Sequence, residues 1–186
     1  MSIRSLLERL SGLDERFSAR AALSEEQLSK RHPLFWLAHV GAHLGDSVLW
    51  LLVTLVLWRQ SGGDAKKRSS VIGWALSFAG GLVGTLLVKQ LVRRSRPGSG
   101  RMLYGPGADA HSFPSGHGVR CGVILTWASV FWPGPGRLAP LLIVWVSWAR
   151  VALNIHYFGD IIAGFLLGVV LSRVIRGRVA GRGKGM

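Results

Sequence analysis

Lys89, Arg96, His117, Arg150, His156 and Asp160 fall in three short blocks of the second half of the chain, residues 89–97, 114–117 and 150–160. Cations and hydroxyls gathered at one place suit a phosphate, and two histidines beside them suit its transfer. In the first block Arg96 offers a two-pronged donor and Lys89 a compact charge to a phosphoryl group. Basic residues at a span boundary read the same way, and Arg93 and Arg94 fit that plainer description. Pro97 disfavours helix at Arg96 and turns the chain there. The second block, Pro114 to His117, leads into a helix whose first N–H groups lack partners and receive anions. Gly116 lets the backbone approach an oxygen. Ser115 adds a hydroxyl donor or simply caps the helix, and His117 in the first turn is placed to act as a general acid. In the third block His156 and Asp160 are four residues apart, one face of a helical turn. A carboxylate bonded to one imidazole nitrogen fixes the tautomer and leaves the other free to attack phosphorus; the alternative is a buried ion pair that supports the fold. Arg150 can pair with the same phosphate.

Hydrophobic segments must position these blocks. Hydrophobic residues make up 49% of the 186, mean hydropathy is +0.33, and the 17% that are charged crowd outside long apolar runs, the distribution of a polytopic membrane protein. The formal charge of +14 would suggest nucleic acid in a soluble domain. No basic recognition helix or aromatic RNA-binding pattern accompanies it, and loops flanking membrane helices are normally rich in Lys and Arg, so nucleic acid is not an expected partner. Cys121 stands alone, which excludes an intramolecular disulfide. Met1 to Arg31 is polar and has no compact apolar core, so no cleavable signal peptide is expected.

The expected fold is an all-α integral membrane bundle of about five transmembrane helices with an N-terminal amphipathic interfacial helix. Residues 1–33 form the amphipathic segment, with Leu6, Leu10, Leu13 and Phe17 recurring at helical spacing and a bilayer surface as their natural partner. Residues 34–175 form the transmembrane domain, with spans over about 34–58, 71–92, 117–132, 138–153 and 161–175. Residues 176–186 read as a basic flexible tail. The Gly, Pro, Ser and Arg-rich stretch 93–116 is long enough to be functional. Trp36, Trp58, Trp74, Trp132 and Trp145 near span ends suggest an aromatic belt. The pairs Gly80 and Gly84, Gly118 and Gly122, and Gly164 and Gly168 suggest helix-packing faces. Counting spans brings all three blocks to one membrane face. The first span starts on that face and carries His39, His43 and Asp46 on one side, as a polar lining of a substrate path or as internal hydrogen-bonding groups; a metal site there is not expected.

The three blocks together resemble the type 2 phosphatidic acid phosphatases, integral membrane enzymes whose core is similar to that of the vanadium haloperoxidases. The family pattern is Lys, six residues, Arg-Pro; then Pro-Ser-Gly-His; then Ser-Arg, five residues, His, three residues, Asp. Lys89, Arg96 and Pro97, Pro114 to His117, and Arg150, His156 and Asp160 match it with every spacing kept, and Ala149 departs from it where the family usually has Ser. The resemblance implies a membrane phosphatase acting on a lipid phosphate or diphosphate. His156 is then the nucleophile that forms a phosphohistidine, Asp160 its orienter and His117 the proton donor. Lys89, Arg96, Ser115, Gly116 and Arg150 hold the phosphoryl oxygens, and no metal or other cofactor is implied. Proteins similar to this family commonly carry the site on the outward face, and the tail and first loop here are basic with little acid, so an outward-facing active site is expected; the compact size suggests a prokaryotic inner membrane. A lipid phosphotransferase would keep the same residues, whereas a non-catalytic lipid-binding protein would not need both histidines and Asp160.

Overall fold

Backbone groups away from water must find partners within their own segment, and helices satisfy them. The computed structural model describes residues 2–98 and 110–182, and every regular element among them is a helix. The α-helices are α1 (Ile3–Ala21), α2 (Pro33–His43), α3 (Ser47–Gln60), α4 (Ala65–Val92), α5 (Gly116–Phe131), α6 (Ala139–Ala152) and α7 (Phe158–Arg182), with a 3₁₀ turn at Pro135–Leu138 before α6. Local chemistry sets the starts. Pro33 opens α2, where its missing N–H costs nothing, and Asp64 caps α4 by accepting from the N–H groups of Lys66 and Lys67 at 2.9 and 3.0 Å.

By length and apolarity α4 and α7 can each cross a membrane, and α2 with α3 makes a third candidate bent by 48°. That bend corrects the expectation of one continuous helix over residues 34–58. Gly45 and Asp46 interrupt the apolar run, and Asp46 takes the extended backbone of an N-cap, so a new helix starts at Ser47. The N-terminal helix is also shorter than the expected amphipathic segment 1–33: it ends at Ala21, and Leu23 N–H then bonds Ala152 O (2.9 Å) to tie the following turns to the end of α6. At the other end α7 continues past Ile175 to Arg182, so the start of the expected flexible tail is helical. Residues 183–186 of that tail, and residues 99–109 of the polar stretch before α5, lie outside the described residues.

Packing centres on α5 and α7. A Cβ on Gly122 would collide with Phe165 O, and one on Gly168 with Val119 O, so the two backbones are in direct contact, as the small-residue spacing implied. Gly80 and Gly84 of α4 face Leu171 and Leu167 of α7. Cys121 of α5 is buried. Trp50, Trp74, Trp127 and Val123 form an apolar cluster toward the far end of the bundle. Trp74 belongs to that core, fully buried with its Nε1–H on Thr54 Oγ1 at 2.7 Å, and not to a belt; Trp36 and Trp58 are exposed. Leu6, Leu10, Leu13 and Phe17 of α1 form an exposed apolar side. Asp14 and Ser18, on the flank of α1 next to that apolar side, meet the first residues of α7.

Candidate active site

The last turn of α4, the first of α5 and the link between α6 and α7 meet at one end of the bundle. Lys89, Ser115, His117, Arg150, His156 and Asp160 are all buried there. Burying this many ionisable groups costs several kcal/mol per ion unless charge and hydrogen bonds compensate. Such a cluster at the end of apolar helices therefore points to a site.

Each group is held by a local device. Arg93 ends α4 in the left-handed region (φ 51°), which reverses the chain so that Arg94 and Arg96 turn back toward the bundle. Lys89 Nζ donates to His111 O at 2.6 Å, and Ser112 N–H bonds Arg94 O at 2.9 Å, so the two sides of the polar stretch are tied together. Ser115 caps α5 by accepting from Gly118 N–H (3.4 Å), while its own N–H donates to Asp160 O (2.9 Å), locking the start of α5 to the start of α7. Capping and anion binding are both open to Ser115, and its hydroxyl is used in the cap.

His156 sits in the link between α6 and α7, 1% exposed. Its Nε2 is 3.5 Å from Arg96 Nη1, and its Nδ1 is 3.6 Å from Asp160 Oδ2, an approach longer than a hydrogen bond. A guanidinium can only donate, so Nε2 carries the lone pair and the ring proton is on Nδ1, facing Asp160. Burial holds the imidazole neutral by pushing its pKa down to about 3, with the Arg150 and Arg96 cations acting in the same direction against the pull of Asp160. A neutral ring with its lone pair beside an arginine is the state a nucleophile for phosphorus needs.

Asp160 is held less by His156 than by groups the sequence pattern did not single out. Its Oδ1 accepts from Arg94 Nη1 at 2.8 Å and its Oδ2 from Tyr157 N–H at 3.0 Å. Arg94, which reads in the sequence as boundary charge, also donates to Asp14 Oδ2 (2.9 Å) and lies over the Tyr157 ring at 4.0 Å. Asp14 Oδ1 accepts from Gly159 N–H and Ser18 Oγ from Phe158 N–H, so α1 caps α7 from outside. His117 is likewise engaged at both nitrogens: Nε2 is 3.2 Å from Asp46 Oδ1, and Nδ1 is 3.0 Å from Arg120 Nη2. Arg120 was legible only as the residue one helical turn after His117. Of the three polar residues of the first span, Asp46 reaches the site, and its Oδ2 holds His43 Nδ1 at 2.7 Å. His39 instead stacks on Phe35, with ring centroids 5.3 Å apart, and meets His43 edge-on.

Residues 69–183 match the PAP2 superfamily, and the chain belongs to it. The chain is 28% identical over 151 residues to the decaprenylphosphoryl-5-phosphoribose phosphatase of Mycobacterium tuberculosis, covering 78% of each protein. It is 28% identical over 159 residues to the lipid A 1-phosphatase of Rhizobium johnstonii, covering 72% of this chain and 64% of that one. Among solved structures it is similar to the transmembrane PAP2-type phosphatidylglycerolphosphate phosphatase of Bacillus subtilis. There the TM-score is 0.71 at 25% identity, with 91% of this chain and 85% of that one covered.

Proposed function

We propose that the protein is a metal-independent membrane phosphatase that hydrolyses a lipid phosphate or diphosphate through a phosphohistidine on His156. The observation that carries this reading is the pairing of a neutral, buried His156, its Nε2 lone pair beside Arg96, with a second buried imidazole, His117, in one cation-rich cluster. The Arg150 guanidinium acts on both imidazoles. Around them Lys89, Arg94, Arg96, Arg120 and Arg150, five cations, stand against Asp14, Asp46 and Asp160, a surplus of two that matches a phosphate monoester dianion.

In the first step the His156 Nε2 lone pair attacks phosphorus, and the bond from phosphorus to the leaving oxygen breaks. The bonding pair goes to that oxygen, which takes a proton from His117. In the second step water attacks phosphorus and gives a proton to His117. The P–N pair returns to His156, and phosphate leaves. Lys89, Arg96, Arg150, Ser115 and the Gly116 backbone stabilise the charge on the equatorial oxygens. These built-in cations do the electrostatic work that a metal does in other phosphatases. An apolar cavity of about 350 Å³ between α3, α4 and α5, lined by Trp50, Leu51, Phe78, Leu82 and Val123, reaches Gly116 and Arg120 and gives a lipid tail its place beside the headgroup. The relatives' names, a decaprenyl-linked sugar phosphatase and a lipid A phosphatase, support a lipid substrate.

In this reading α4, α5, α6, α7 and the bent pair α2–α3 make five spans, and α1 lies in the interface with Leu10 and Phe17 toward lipid. The site faces outward from a prokaryotic inner membrane. The test is phosphate release by the purified, detergent-solubilised protein from a panel of lipid phosphates in EDTA, beside His156→Ala. Release should persist in EDTA and fall at least about 10³-fold in the variant, as loss of a nucleophile does. A folded wild type that releases no phosphate from any lipid, or transfers it only to an added alcohol, refutes the hydrolase.

A further inference from the structure

The break in the first membrane helix packs against His117, and we infer that its Asp46 is a positioning residue that sets His117 as proton donor to the leaving group. The inference rests on the phosphatase reading above. Residues 44–46 lie outside the segment 69–183 that matches the family.

Asp46 stands at the N-cap of α3, where an aspartate ordinarily accepts from the first turn of its own helix. It makes no such bond. Its two oxygens go instead to His117 Nε2 (3.2 Å) and His43 Nδ1 (2.7 Å). The preceding residue explains the closeness: a Cβ on Gly45 would stand 2.5 Å from His117 Cδ2 and 2.9 Å from Val146 Cγ1, so only glycine lets the backbone lie along the imidazole edge. Arg120 completes the holder, donating from Nε to Gly45 O and from Nη2 to His117 Nδ1.

The donors fix the protons. Arg120 has no acceptor, so His117 Nδ1 bears the lone pair here and Nε2–H points at Asp46. The acid form needs a second proton on Nδ1, which requires Arg120 to give up that nitrogen. Asp46 keeps Nε2 throughout, so Nδ1 is the nitrogen that serves the leaving oxygen. The charged and titratable groups acting on the ring are Asp46 from the helix break, Arg120 from α5, Arg150 from α6 and His156 from the following link. Of these Asp46 is the one anion. As the P–O bond breaks and its electron pair moves to the leaving oxygen, Nδ1–H passes to that oxygen, and the ring returns to the neutral form still bonded to Asp46.

A donor matters for a poor leaving group and little for a good one. The test is kcat/KM, which reports the phosphorylation half-reaction, for an alkyl substrate (n-decyl phosphate) and an aryl one (p-nitrophenyl phosphate). Wild type, Asp46→Asn and Asp46→Glu are compared in the same detergent, with a melting curve for each. Asp46→Asn should lose about 100-fold on the alkyl ester, within the 10²–10⁴ a positioned acid supplies, and only several-fold on the aryl ester. Asp46→Glu keeps the charge but displaces it by a methylene. It should show the same alkyl-selective loss to a smaller degree, and it carries the test should Asp46→Asn not fold. Equal losses on both esters, or none, in an active and folded background overturn the inference. A wild type inactive on both esters would instead sink the phosphatase reading.

Discussion

Arg94→Met isolates the contact that holds the buried Asp160 carboxylate. Asp160 is fully buried, and it keeps Tyr157 N–H and the 3.6 Å approach to His156 when the guanidinium is removed. What it loses is the Arg94 partner at 2.8 Å. Removing one member of a buried ion pair strands the other, at about 3–5 kcal/mol. The second arm, Arg94 to Asp14, is more open, with side chains 19% and 16% exposed, and adds about 1 kcal/mol or less. At about 2–4 °C per kcal/mol for a chain of this size, unfolding followed by tryptophan fluorescence in detergent should fall by roughly 6–20 °C. The cause is then separated by a cycle: in an Asp160→Asn background no buried charge is left to strand, and Arg94→Met should cost only the smaller Asp14 arm. Arg94→Lys, with one compact ammonium for two carboxylates, should fall between. A drop below about 2 °C, or an equal drop in the Asp160→Asn background, would refute the assignment of Arg94 as the partner of Asp160.

Two further outcomes follow from features already described. Gly168→Ala places a methyl against Val119 O and should cost about 1–3 kcal/mol by forcing α5 and α7 apart, whereas Gly84→Ala meets only Leu167 Cδ2 at 3.7 Å and should melt close to wild type. His156 also imposes a pH dependence. Its folded pKa of about 3 lies below the ordinary 6.5, so the unfolded chain binds the proton first, and stability falls as pH drops below 6.5 toward 3. The His156 share of that loss is about 1.4 kcal/mol at pH 5.5 relative to pH 7.5, read as the flatter pH dependence of the melting temperature in His156→Asn.

The sequence makes the site's principal members legible because their spacing is chemical: Ser115 to His117 must start a helix, and His156 to Asp160 must span one turn. Supporting groups are harder to see, since their roles come from where the chain turns and not from the residue types. Arg93 and Arg94 are alike on paper, and only the left-handed backbone at Arg93 decides that Arg94 turns inward to Asp160 while Arg93 stays exposed. Asp14 lies 146 positions from Asp160 in number, yet the docking of α1 puts one guanidinium between them. The helix break was signalled by Gly45 and Asp46 inside an apolar run. Hydropathy averages over such a pair, so residues 34–58 read as one span. Conversely Trp74 looked like an interface residue because it sits near a span end, and the core claims it because Thr54 offers its N–H a partner.

The buried thiol of Cys121 has a practical side. It is the single cysteine of the chain and is 1% exposed on α5, so a membrane-impermeant maleimide finds no native target in the folded protein. A cysteine introduced at Gly63 or Gly134, where a side chain meets nothing within 4 Å, therefore reports the loops at the end remote from the site, and one at Gly12 reports α1 beside it. Labelling of intact cells against opened ones would read the topology of the enzyme on an otherwise native background, with no need to replace a residue in the helix that carries His117.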